Sequence, residues 1–115
     1  MAQIVKKIGG KNVGFRFNML TIRKYCEERG IDFSDYDKDF ASDIFATSEV
    51  LFKCAIDVYS EGKTILNEYQ SAALFEEMTN EQFQEISECY AKGMKGALSV
   101  FKVKVNNEKP EVKKK

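Results

Sequence analysis

Histidine is absent from the 115 residues, and the three cysteines, Cys26, Cys54 and Cys89, are odd in number and widely spaced. With no C-x-x-C pair and no imidazole ligand, neither a zinc site nor a disulfide framework is expected. The thiols read as reduced and partly buried. A cysteine nucleophile would also lack its usual base. No apolar run approaches the roughly 20 residues of a membrane span. Nor does a signal-peptide pattern open the chain, so a cytoplasmic protein that touches no membrane is expected.

Other chemistries fail on spacing. Gly9-Gly10-Lys11 has neither the length nor the Ser/Thr of a phosphate loop. Glu27/Glu28 and Glu76/Glu77 are adjacent pairs, which point to different sides of a helix rather than sharing one. The acidic run from Asp35 through Asp37, Asp39 and Asp43 opens like a calcium loop. Phe40 then occupies the place of the turn glycine, and Ala46 that of the bidentate glutamate. No catalytic, cofactor-binding or metal-ligating residue is therefore expected, and the chain does not read as an enzyme.

What is present is aromatic carbon and uneven charge. Nine Phe, five Tyr and a hydrophobic fraction of 43% are enough for one domain with a real core. The net charge of zero conceals +5 over residues 1–30, −9 over 31–101 and +4 over 102–115. That separation points to self-association into a homo-oligomer, or to an oppositely charged partner.

The most sustained apolar periodicity is Phe40–Tyr59, within a helix expected over 38–60. Phe40, Ile44, Phe45, Leu51, Phe52, Ala55, Ile56 and Tyr59 recur there at mostly helical spacings. Ahead of it, Gln3–Ile8 and Val13–Phe17 predict two strands of a hairpin within residues 3–17, turning at Gly9-Gly10-Lys11-Asn12. Asn18 is placed to cap a helix over 18–29 that Gly30 closes. Asn67 can cap another over 67–78, and Thr79 with Gln82 forms a capping box for a last helix over 80–101. In that helix Gly93 and Gly96 expose backbone to which a neighbouring helix can come close. The expectation is a mainly α single domain over 1–101: a β-hairpin and about four helices in a small orthogonal bundle. A flexible, disordered Lys-rich tail over 102–115 follows, with Val103 and Val105 allowing one short extra strand.

The order of elements resembles a known family. A lysine-bearing hairpin, Gln3–Phe17, runs into a first helix, Asn18–Arg29, closed by Gly30-Ile31-Asp32-Phe33. A long apolar helix, Phe40–Tyr59, a charged loop, Glu61–Leu66, and two more helices follow. Over residues 3–100 this is similar to the tail assembly chaperones of long-tailed bacteriophages. The resemblance implies a non-enzymatic protein of the bacterial host cytoplasm that binds the tape measure protein, keeps it soluble and helps recruit tail-tube subunits. It also implies a second, longer product made by frameshifting, with which Lys113-Lys114-Lys115 is compatible. No site residues carry over from the family.

The matching physical expectation is capture of a partner helix on an apolar stripe. Candidates are Phe45, Phe52 and Tyr59 on the central helix, and Tyr90, Met94 and Phe101 on the last. Met94, beside glycine, is the most adaptable of the six. The competing expectation for each is burial in the core. A different function, a small nucleic-acid-binding regulator, would use Lys6, Lys7, Lys11, Arg16, Arg23, Lys24 and Arg29 as a basic face, with Phe15 or Phe17 stacked on bases. The acidic middle of the chain counts against it.

Overall fold

The computed structural model describes the backbone of residues 2–108 and the side chains of residues 2–95. Two antiparallel strands, β1 (Ala2–Ile8) and β2 (Lys11–Phe17), lead into five helices. These are α1 (Met19–Arg29), α2 (Tyr36–Ser42), α3 (Ile44–Tyr59), α4 (Glu68–Glu77) and α5 (Asn80–Glu108), with a 3-10 turn at Phe33–Asp35 ahead of α2. The domain is mostly helical, with one two-stranded sheet.

The hairpin turns on two residues rather than four. Gly9 and Gly10 both have positive φ, 58° and 81°, which a side chain would resist and which matches the twist of the flanking strands. Pairing runs from Ile8↔Lys11 at the turn to Ala2↔Phe17 at the open end. Ala2, Ile4, Lys6, Ile8, Val13, Phe15 and Phe17 therefore share one face. Phe15 and Phe17 are fully buried there.

An aromatic chain joins this face to the helices. Phe52 of α3 meets Phe15 and Phe17 edge-on, with centroids 5.6 and 6.0 Å apart. It also touches Phe75 of α4 and Phe83 of α5, each at 5.6 Å. Phe17 continues to Tyr90, and Tyr90 to Phe40 of α2. Such pairs each add about 0.5–1.5 kcal/mol beyond the area they bury.

The expected central helix is two helices. Asp43 is extended (φ −157°, ψ 86°) and separates α2 from α3. The buried Thr47 hydroxyl donates to the carbonyl oxygen of Phe40 at 2.7 Å and lies 2.9 Å from that of Asp43. It thus serves the Phe40 carbonyl, which a continuous helix would have bonded through a backbone N–H, while the Asp43 carbonyl also keeps its helical bond from Thr47 N–H at 2.9 Å. Asp43 caps α3 weakly through the Ala46 N–H. Tyr36, the first residue of α2, is a core residue. Its hydroxyl and that of Tyr90 form a 2.6 Å hydrogen bond. Burial pushes the pKa values of both phenols up, making them weaker acids.

The cap chemistry is as expected. Asn18 and Thr21 form a reciprocal box at α1, Asn67 and Gln70 at α4, and Thr79 and Gln82 at α5. Gly30 closes α1 in the left-handed conformation, with Ile31 N–H donating to the Cys26 carbonyl.

α5 is longer than expected. Its backbone continues through residues 102–108, where a flexible tail was expected and a short strand at Val103 and Val105 was the alternative. The rest of the basic tail, 109–115, lies outside the described residues. The close approach at Gly93 is made by the first strand rather than by a helix. A Cβ there would overlap that of Ala2 and come within 3.0 Å of the Ala2 Cα.

A candidate docking cleft beside the hairpin

The α3–α4 connection reverses direction within a few residues. Glu61 and Gly62 both take positive φ, and Gly62 N–H donates back to the Asp57 carbonyl at 2.9 Å. The Ser60 hydroxyl then accepts from Thr64 N–H at 2.8 Å. This brings Leu66 back beside the end of α3 and sets α4 running past the hairpin turn.

Between hairpin, α3 and α4 lies an open cleft of about 710 Å³. Ile8, Val13, Ile56, Leu66 and Leu74 give it an apolar lining, with Asn12, Ser60, Thr64 and Gln70 among the polar groups. Its charged side chains are Lys11 and Glu77, and neither makes an ion pair among the described residues. Gly14 matters to its shape. A Cβ at that position would sit inside the Tyr59 ring, so glycine lets the ring lie flat on β2. Arg16, two residues along the same strand face, places its guanidinium carbon 5.8 Å from the Tyr59 centroid.

The groups whose acidity the fold alters lie elsewhere. Burial pushes the Cys54 thiol up to about 12, and raises the Cys26 and Cys89 thiols as well. Asp39 accepts two bonds from Arg29, at 2.9 and 3.1 Å, and one from the Tyr25 hydroxyl at 2.6 Å. Those bonds, the Arg29 one foremost, hold its carboxyl below the usual range. The network ties α1 to α2. Among the described residues, no group of carboxylates and thiols is arranged to hold a metal ion. No described helix is long and apolar enough to cross a membrane.

The six candidate contact residues scatter. Tyr59 lines the cleft. Phe45 is 68% exposed on the first turn of α3, its ring 5.8 Å from Phe75 and away from the cleft lining. Phe52 and Met94 are each 2% exposed, so both are core. Tyr90 is half-buried and bonded to Tyr36. The side chain of Phe101 lies outside the described residues. Ile56, Leu66, Leu74 and Asn12 were not among the candidates. The available signal was Gly14, an isolated glycine in a strand, which marks a close approach.

Three of the seven residues of the basic face are held in ion pairs. Lys6 pairs with Glu85 at 2.6 Å, Lys24 with Asp57 at 3.5 Å and Arg29 with Asp39 at 2.9 Å. Phe15 and Phe17 are sealed in the core, so neither can stack on a base. No protein-family model, curated protein or solved structure matches this chain.

Proposed function

We propose that this chain is a non-enzymatic assembly chaperone of the kind made by long-tailed bacteriophages. On this reading it works in the host cytoplasm, binds segments of the tape measure protein and aids tail-tube assembly. The observation that carries the reading is the cleft. It is open, lined with apolar side chains and edged by hydrogen-bonding groups, a composition suited to gripping polypeptide. The hairpin-then-helices order agrees with the family resemblance.

The energetics fit reversible holding. Burying each apolar partner side chain is worth about 1.5–3 kcal/mol, against an association cost of about 4–15 kcal/mol. Two or three such side chains give weak binding at one cleft. A long partner with many similar segments gathers several copies, and effective concentration then raises the total hold. Weak single contacts also allow release when the tail polymerises.

The test is co-expression with a tape measure protein that is insoluble alone. The expected result is a soluble complex that co-purifies, and one weakened by Tyr59→Ala. Failure of the two proteins either to associate or to gain solubility overturns the reading.

A further inference from the structure

The hairpin register fixes which backbone groups face inward. A two-residue turn makes Ile8↔Lys11 a hydrogen-bonded pair, so Lys7↔Asn12, Val5↔Gly14 and Gln3↔Arg16 are non-bonded pairs. The N–H and C=O groups of those residues point away from the partner strand. Two hydrogen bonds agree with this. The Lys7 carbonyl accepts from Gln82 Nε2 at 2.7 Å, and the Arg16 carbonyl from the Thr21 hydroxyl at 2.7 Å.

Folded proteins cover or blunt such edges, because an open one pairs with other chains. Here β1 is covered at Lys7 and β2 at Arg16, while the outward groups of Gln3 and Val5 on β1 are unbonded among the described residues and lie outside the cleft lining. The outward N–H and C=O groups of Asn12 and Gly14 have no partner among the described residues. Both residues line the apolar cleft. An uncovered stretch of strand edge thus faces an unfilled apolar space.

We infer that the cleft takes an extended polypeptide segment of the partner, which adds to β2 as a third strand at Asn12–Gly14. This rests on reading the cleft as the chaperone's binding surface, and it replaces a helix with a strand as the bound form. Residues of the added strand that share a face with Val13 would meet Ile56 and Leu74. Those sharing a face with Gly14 would lie on the side of the Tyr59 ring, Lys7 and Arg16, and neither cation is paired with a carboxylate among the described residues. The segment recognised is therefore one of alternating apolar and acidic residues. The cover over Arg16 limits it to a few residues.

The probe is a synthetic heptapeptide of alternating Val and Glu, titrated into the isotope-labelled full chain. At saturation, amide hydrogen exchange at Asn12 and Gly14 should slow by at least about tenfold. N-methylation of one alternate set of peptide nitrogens should abolish binding, and methylation of the other set should leave it. Asn12→Pro, which removes an outward N–H without breaking a ladder bond, should bind at least about tenfold more weakly, while Asn12→Ala binds as the parent does. Circular dichroism checks that both variants keep the fold. No binding, unchanged exchange with peptide bound, or equal effects of the two methylation sets would overturn the strand mode. A soluble tape-measure complex in which Asn12 and Gly14 exchange unchanged would reject the strand and keep the chaperone. Peptide protection without any such complex would do the reverse.

Discussion

Replacing Gly93 with alanine sets two effects of known size against each other. Gly93 lies well inside α5, where alanine is favoured over glycine by about 1 kcal/mol in an unobstructed helix. Yet the added methyl would overlap Ala2 Cβ and come within 3.0 Å of its Cα, inside the roughly 3.5–4.0 Å of relaxed carbon contacts. Strand and helix would have to part. The Ile4/Phe17 face, the Lys6–Glu85 ion pair and the Gln82 bond to Lys7 all span that seam. Overpacking of this kind costs about 1–3 kcal/mol, so the net expectation is a loss of about 1 kcal/mol. Urea unfolding with a common slope measures it. The decisive arm is the same substitution in an Ala2→Gly background, where the opposing methyl is gone. There only the contact with the residue-2 Cα at 3.0 Å remains, and Gly93→Ala should cost at least about 1 kcal/mol less than in the parent. Stabilisation in both backgrounds would show that α5 and β1 do not meet as described.

The hydroxyl pair of Tyr36 and Tyr90 should behave non-additively. Tyr36→Phe alone leaves the Tyr90 hydroxyl half-buried and unbonded, at a cost of about 1–2 kcal/mol, whereas the double Phe variant should lose less than the two singles together. Equal and additive losses in urea titrations would mean that the pair is not formed. Asp39 should make stability acid-sensitive. Its folded value is depressed by Arg29 and Tyr25, so its contribution is present above the unfolded carboxylate value and lost as pH falls through the folded one. Asp39→Asn should therefore lower the melting temperature at pH 7, by a deficit that shrinks as pH falls below the usual carboxylate range. A constant deficit across that window would remove the carboxylate from the account.

Local chemistry made much of this fold legible. Asn18, Gly30, Asn67 and Thr79 act within a few residues of themselves, so the caps and the helix boundaries they set could be read directly. Phe40–Tyr59 reads as one helix because its apolar period runs through residue 43. Only the fold buries Thr47 where its hydroxyl can take the Phe40 carbonyl. Periodicity marked which side chains are apolar but not what covers them. Phe52 and Met94 went to the core because Phe15, Phe17 and the rest of the hairpin face closed over that side. The cleft was illegible for a related reason. Its walls come from residues 8–14 and 56–77, and no local rule brings those segments together.

The seam between Ala2 and Gly93 also has a consequence in time. The first strand leaves the ribosome well ahead of the glycine it packs against, which is added about ninety residues later. At about 5–20 residues per second, that interval is roughly five to twenty seconds. Throughout it the Phe15/Phe17 side of the hairpin lacks its α5 cover. The newborn polypeptide therefore carries an exposed aromatic face until its last helix arrives.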